Sequence, residues 1–403
     1  MNREMKNSNI PWIGYIPASW TTCHIKQIMR NKSIKGYPNE TVLSLYREYG
    51  VVPKDSRTDN HNITSEDTSN YKFVEIGDFV INKMKAWQGS MAVSDYQGII
   101  SPAYYICRFV SNDVCKRYIH YLLRNETYKT EYMRLSSGLR VGQWDLNIED
   151  FLRIQMVLPL YAEQQAIADF LDKKCGEIDE LVALQEKIIE ELKSYKQSVI
   201  TETVCKGLNP NVPMKDSGID WIGETPYNWE ISRLKFFVKI KSGDFIDATD
   251  IKHDALYPVY GGGEQIGFCE KFNTDSSQLL IGRVGARCGC ITRLQGKSWA
   301  TDNALILTTS LNLNYSYYLL IGCNLNSLNT SNAQPLITST KIKSIDISVP
   351  SLREQQEIAD FLDKKCNEID QLISIKQQKI VELNDYKKSL IYEYTTGKKE
   401  VKL

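Results

Sequence analysis

Several things are scarce in this 403-residue chain, and each shortage removes a class of function. Its ten cysteines never form CxxC. The nearest pair, Cys288 and Cys290, has one residue between, which suits neither a zinc knuckle nor a dithiol redox site; reduced, mostly buried thiols are expected. The four histidines, His24, His61, His120 and His253, show no ligand spacing, so no metal site is expected. No run approaches the roughly 18 apolar residues of a membrane span. The opening MNREMKNSNIPWIG lacks the apolar stretch of a signal peptide, and the expected location is the cytoplasm. Net charge is zero, with 49 basic and 49 acidic residues, so the whole chain does not announce a nucleic-acid binder.

With 42% hydrophobic and 24% charged residues, the chain has material for two or three globular domains. Charge is unevenly spread. Residues 1–158 hold 20 basic and 16 acidic side chains, whereas 159–210 hold 6 and 10. Over 276–349 six cations (Arg283, Arg287, Arg293, Lys297, Lys341, Lys343) face only Asp302 and Asp346, an excess that attracts phosphates.

The chain is built twice. EQQAIADFLDKKCGEID (Glu163–Asp179) returns as EQQEIADFLDKKCNEID (Glu354–Asp370), with 15 of 17 residues identical at an offset of 191. WIGYIPASW (Trp12–Trp20) returns as WIGETPYNW (Trp221–Trp229) at an offset of 209. Between these shared ends lie variable regions of 138 and 120 residues, and the difference accounts for the change of offset. A weaker match at an offset of 200 lays DFVINKMKAWQG (Asp78–Gly89) over QLLIGRVGARCG (Gln278–Gly289), pairing Ile81 with Ile281, Lys83 with Arg283 and Gly89 with Gly289. Each reads as a short buried strand leading into a turn that carries a cation.

The long repeats read as helices. Leu171, Ile178, Gln185, Leu192 and Val199 form one seam, and Lys174, Leu181, Ile188 and Tyr195 a second, an average spacing of 3.5 that marks lengthwise pairing. The copy runs through Leu362, Ile369, Lys376, Leu383 and Leu390, with Leu372 and Tyr386 beside them. Pro159 and Pro350 precede the starts, Ser351–Glu354 is a capping box, and Gly207 marks the first stop. Each rod of some 40 residues is about 60 Å long. An antiparallel pair places the globular parts at opposite ends, a dumbbell with approximate two-fold symmetry. The expected fold is α+β: two mixed α/β domains separated by a long antiparallel two-helix coiled coil, with bounds 1–158, 159–208, 209–349 and 350–403.

Core packing explains apolar seam residues, yet the shared stretch also repeats Gln164, Gln165, Asp169, Asp172, Lys173, Lys174, Glu177 and Asp179. Identity falls to 9 of 23 over 180–202, so uniform divergence does not account for the island. It reads as a surface presented twice to two copies of one partner. The dissimilar globular regions read as binders of two different targets. A duplex, which offers equivalent faces about every 34 to 36 Å, suits two readers on a rigid spacer.

The WIG-x-x-P opening, the P-x-x-x-EQQ-x-IA-x-FLD-x-x-x-x-EID motif and the duplication together resemble the specificity subunit of Type I restriction–modification enzymes, over essentially the whole chain. The resemblance implies two target recognition domains, each reading half of a bipartite double-stranded DNA site, and a helix pair that sets the gap. It implies two methyltransferase subunits docked on the helices, and restriction and translocase subunits in the full complex. Catalytic residues and cofactors are expected to be absent from this chain, with S-adenosylmethionine, ATP and Mg confined to the partners; no membrane partner is expected. The partner-docking candidates are Gln164, Gln165, Asp169, Asp172, Lys173 and Glu177, with Gln355, Gln356, Asp360, Asp363, Lys364 and Glu368.

Bases are read by Arg or Lys on guanine and by Asn or Gln on adenine. The candidates are Lys83, Lys85, Gln88, Arg140 and Gln143 in the first module, and Arg283, Arg287, Arg293, Gln334, Lys341 and Lys343 in the second. Two rival readings are a self-contained adenine-N6 methyltransferase and a two-headed protein scaffold. SPAYY (Ser101–Tyr105) resembles the [DNS]PP[YF] loop of amino-methyltransferases, but Ala103 replaces the second proline and no glycine-rich cofactor strand precedes it; a strand is expected. GKS (Gly296–Ser298) lacks the upstream glycine of a phosphate loop, Ile291 standing there, and YGGGEQIG from Tyr260 reads as a turn.

Overall fold

The weak match at an offset of 200 is a strand and its turn in both halves. A computed structural model describes residues 3–57, 67–138, 144–275, 277–294, 296–328 and 335–401. In the first half β1 (Met29–Lys32), β2 (Phe79–Asn82), β3 (Met91–Val93) and β4 (Tyr104–Phe109) form an antiparallel sheet in the order β1-β4-β2-β3. In the second, β5 (Val238–Ser242), β6 (Leu279–Gly282), β7 (Ile291–Arg293) and β8 (Ala304–Thr309) take the same order, β5-β8-β6-β7.

Side chains alternate across each sheet, as a two-residue period requires. Phe79 and Ile81 face the main core of the first half, and Val80 faces a smaller cluster with Leu43, Val74 and Ile106. Leu279 and Ile281 face the main core of the second, and Leu280 meets Ala300 and Ile306 behind it. Both faces are covered, so each central strand is a continuous apolar run. After it the chain makes a short 3-10 turn and reverses at Gly89 (φ 79°) or Gly289 (φ 83°), a left-handed conformation that glycine adopts without steric cost. SPAYY ends in β4, and Gly262 and Gly263 form the turn between strands Tyr257–Gly261 and Glu264–Cys269.

Each half closes on itself. Thr21–His24 pairs with Gln155–Leu158, and Glu230–Arg233 pairs with Asp346–Val349, bringing the opening segment beside the strand that leads into a long helix. Five helices matter below: α1 (Lys116–Arg124), α2 (Glu126–Leu135), α3 (Tyr161–Lys206), α4 (Leu313–Gly322) and α5 (Leu352–Thr395). At 46 and 44 residues, α3 and α5 are each between about 65 and 70 Å long. Contacts divide the chain into a first unit, 1–185 with 379–403, and a second, 186–378. Each unit therefore owns one of the two four-stranded sheets, the start of one long helix and the end of the other.

Within each unit the two helix segments run antiparallel. Lys387 Nζ donates to both carboxylate oxygens of Asp179, at 2.6 and 2.7 Å, in the first unit, and Lys196 Nζ does the same to Asp370 in the second. The first seam, through Leu171 and Leu362, is buried or half-buried throughout. The second is rotated by one position: Cys175, Val182, Ile189, Lys196 and Thr203 turn inward, with Cys366, Ile373, Ile380, Lys387 and Tyr394 in the copy. Lys174 and Ile188 sit at its edge, and Leu181, Tyr195, Leu372 and Tyr386 are exposed. Both phases alternate three and four residues. The correct one also lets Ile167, Ala168, Leu171, Cys175 and Ile178 enter the core of the globular part, at about 1.5–3 kcal/mol for each large aliphatic side chain buried.

The ends form as the sequence requires. Ser351 N–H donates to Glu354 Oε2 at 3.0 Å, completing a capping box, and α3 stops before Gly207 at φ 75°. Gly207 lies against Trp229 and Gly397 against Trp20, so both helix ends abut the tryptophan that closes an opening segment. All ten cysteines are free, eight of them buried.

Candidate nucleic-acid and partner interfaces

The identical stretch is first an internal fastening. Trp20 Nε1 donates to Glu163 (3.0 Å) and Trp229 Nε1 to Glu354 (3.3 Å), tying each opening segment to the first turn of a long helix. The next residue is fully buried in both copies. Gln164 donates to Pro159 O (2.9 Å) and accepts from Cys115 N–H (2.9 Å); Gln355 donates to Pro350 O (2.9 Å) and accepts from Asn312 N–H (2.8 Å). Gln164 and Gln355 thus leave the set of surface docking candidates, because both ends of each amide are occupied inside the fold.

Two turns on, Tyr121 OH donates to Asp172 (2.8 Å) and Tyr318 OH to Asp363 (2.7 Å). Burial first, and then the neighbouring carboxylate, push both phenols above their usual range, so they remain donors. The cation completing each site differs in origin. Arg117 on α1 bridges Asp172 and Asp169, the latter at 2.6 Å, and these two hydrogen bonds hold its guanidinium above its usual range. In the second unit Arg293 on β7 reaches Asp363 at 2.8 Å and lies over the rings of Tyr317 (4.0 Å) and Tyr318 (5.0 Å). Arg293, expected on DNA, is therefore committed to the long helix by an ion pair and ring stacking.

Beside each fastening lies a groove. That of the first unit, about 390 Å³, is lined by Tyr121, Asp172, Cys175, Asp179, Lys387 and Ile391 among others. That of the second, about 720 Å³, carries Tyr318, Asp363, Cys366, Asp370, Lys196 and Ile200. These six match pairwise in type and place. Further along the same helix segments, apolar side chains face outward in equivalent positions: Leu181, Leu184 and Tyr386 in the first unit, Leu372, Ile375 and Tyr195 in the second. Sequence reasoning assigned most of these to a seam; the duplicated exposure is the signal it lacked. Among the remaining docking candidates, Lys173 and Lys364 are exposed, Gln165 reaches Tyr161 OH at 3.5 Å and Gln356 donates to Asp360 (2.7 Å). Glu177 and Glu368 pair along their own helix with Lys174 (2.7 Å) and Lys365 (3.6 Å).

The DNA candidates gather elsewhere, on the loop after the central strand. Lys83 C=O accepts from Leu146 N–H (3.1 Å), and Arg283 C=O accepts from Ile337 N–H (3.0 Å), so the loop is pinned to the same neighbouring segment in both units. On this shared backbone the side chains diverge. Lys83 stands 3.8 Å from Asp145, Lys85 is exposed, and Gln88 accepts from Arg47. Arg287 pairs with Glu264 at 2.5 Å, both half exposed, an arrangement worth little in water and open to exchange for a phosphate. The Arg283 side chain has no hydrogen bond or ion pair among the described residues. Lys341 and Lys343 lie on the short helix Ser339–Lys343 and are partly exposed. Arg140, Gln143 and Gln334 lie outside the described residues, as does His61. Among the described residues no cluster of His, Cys, Asp or Glu could hold a metal ion, and no helix is long and apolar enough to cross a membrane.

The model of the Type I restriction modification DNA specificity domain matches twice, over residues 17–194 and 226–385. The chain belongs to that family. Among relatives of this Type I specificity chain, the EcoprrI specificity subunit of Escherichia coli is 32% identical over 133 residues, 32% of this chain and 33% of that one. The putative MjaX specificity subunit of Methanocaldococcus jannaschii is 25% identical over 434 aligned residues, covering 97% and 96%. A chain from a solved type I R-M system, studied for its complex assembly and conformational transition, matches with a TM-score of 0.72 at 14% identity, over 94% of this chain and 98% of that one. The HsdS subunit of Thermoanaerobacter tengcongensis gives 0.50 at 15%, over 95% and 98%. At such identities the likeness speaks to fold alone, which is the α+β arrangement with paired long helices. The family and its relatives make this a specificity component, concerned with DNA recognition rather than catalysis.

Proposed function

We propose that each unit reads one half of a bipartite DNA site, that the helix pair fixes the unread gap, and that two copies of one methyltransferase subunit dock on the duplicated groove and apolar stripe. The observation that carries this reading is the contrast inside each unit. The long-helix surface is the same twice, down to five groove residues and the tyrosine beside them, while the loop after the central strand keeps its backbone and changes its side chains. A repeated surface serves one partner twice; a conserved frame with exchanged side chains serves two different targets. Restriction and translocase subunits join the full complex, S-adenosylmethionine, ATP and Mg belong to the partners, and the assembly works in the cytoplasm.

Mapping methylated adenines in DNA from cells with and without the gene tests this. Two half-sites at one fixed spacing are expected to vanish together on deletion. In the purified complex, Arg283→Ala is expected to cost about 1–3 kcal/mol and relax one position of one half-site, while Lys85→Ala weakens binding evenly and lowers the salt slope by about one. Methyl transfer by the isolated chain would instead establish the self-contained methyltransferase.

A further inference from the structure

We infer that Trp87 and Trp144, with Met84, form an apolar base-reading element in the first unit, directed at the C5-methyl group of a thymine. This rests on the reading of that unit as a DNA-recognition module. Trp87 belongs to the 3-10 turn after β2, and its Nε1 donates to Met84 O at 3.2 Å, which fixes the indole against its own loop. Trp144 meets it edge-on, ring centroids 5.4 Å apart at 61°. Both tryptophans are partly exposed and Met84 is 47% exposed, so three large apolar side chains reach one stretch of surface.

The frame does not require them. At equivalent places the second unit has Val284, Arg287 and Pro335, yet its loop keeps the same 3-10 turn, the same reversing glycine and the same backbone bond to the next segment. The tryptophans therefore belong to what each unit presents. Charge selects the occupant. Lys83 and Lys85 stand on the same loop as Trp87, Lys83 at 3.8 Å from Asp145, and the Lys85 side chain has no hydrogen bond or ion pair among the described residues. Lys72 and Lys35 add to the same positive field. An apolar spot on a loop that also carries two lysines, one of them unengaged among the described residues, fits a polyanion with one apolar feature on its readable edge, and in the major groove that feature is the thymine methyl.

The test uses the chain co-expressed with its methyltransferase subunits and its mapped site. Each thymine of the site is replaced by deoxyuridine, which removes only the methyl group. At one thymine of a single half-site, the wild-type complex is expected to lose about fourfold in affinity, the effect of one methyl returned to water. Trp87→Ala and Trp144→Ala are expected to abolish that loss and relax the position, leaving the other half-site as it was. Trp87→Phe, which keeps an aromatic face, retains part of it and controls for folding. A deoxyuridine effect that persists in both alanine variants overturns the inference, as does a half-site indifferent to every thymine methyl. Loss of a methyltransferase copy without change in the half-site would also overturn it, marking the patch as a protein contact. Failure of the wild type to show any bipartite site would count against the functional reading itself.

Discussion

The two units hold the same aspartate with arginines from different elements. Asp172 is met by Tyr121 and by Arg117 from the same helix, α1; Asp363 is met by Tyr318 from α4 and by Arg293 from a strand. What stays constant is the long-helix carboxylate and the tyrosine above it. The cation comes from whichever part of the recognition domain reaches the site. A fastening of this kind lets a recognition domain change freely, provided one phenol and one guanidinium still arrive. Much of the polar identity that reads in sequence as a docking surface is therefore the fixed half of an internal joint, and the duplicated exposed residues lie beside it.

Where the joint is nearly the same in both units, Gln164 adding only a longer bond to Asp113 O at 3.2 Å, breaking it should cost nearly the same. Gln164→Leu and Gln355→Leu each leave a backbone N–H, buried at Cys115 and partly buried at Asn312, without its acceptor and a buried proline carbonyl without its glutamine donor. Each substitution is expected to destabilise the chain by about 2–3 kcal/mol, read as a shift in denaturant midpoint. Unequal losses would show that one clamp matters less than its geometry suggests. Where the joint differs, the cost should differ. Arg293, 28% exposed and stacked on two rings, is expected to lose about 1–2 kcal/mol on change to Met. Arg117, 53% exposed, is expected to lose less than about 1 kcal/mol by the same measurement. Equal effects would mean that stacking adds nothing.

Legibility followed the range of the interaction. The capping box at Ser351, the stop at Gly207 and the strand around Ile81 and Ile281 were readable because each is decided within a few residues by backbone chemistry or by a two-residue period. The seam phase was not. Leu181 against Val182 and Ile188 against Ile189 are nearly equal, Tyr195 against Lys196 favours the wrong phase and Lys174 against Cys175 the right one. Residue type therefore leaves the phase open, and the globular core that takes up Cys175 and Val182 selects it. The roles of Asp172 and Asp179 were equally hidden, since their partners, Tyr121 and Lys387, stand 51 and 208 residues away. The loop after the central strand stands out by its cations, but composition could not separate Arg283, which is unengaged among the described residues, from Arg293, which is bound.

One asymmetry makes the first unit sensitive to acid. His120 lies on α1 beside Tyr121, where the second unit has Tyr317 beside Tyr318. One ring nitrogen faces Val93 N–H at 3.2 Å and the other faces Arg124 Nη1 at 2.7 Å, so a protonated ring would set two donors against two donors. Burial, then the Arg124 charge, lower its pKa to about 3. In the unfolded chain the same ring titrates near 6.5. The unfolded state thus binds the extra proton first as pH falls, and the stability that is complete above pH 6.5 is withdrawn progressively toward pH 3. Between pH 7 and 5.5 the loss from this one group is about 1 kcal/mol. His120→Asn, which keeps an acceptor for Arg124 but cannot titrate, is expected to flatten that part of the stability profile, measured by denaturant unfolding at each pH. An unchanged slope in the variant would place the acid sensitivity in other groups and leave the two units alike in this respect.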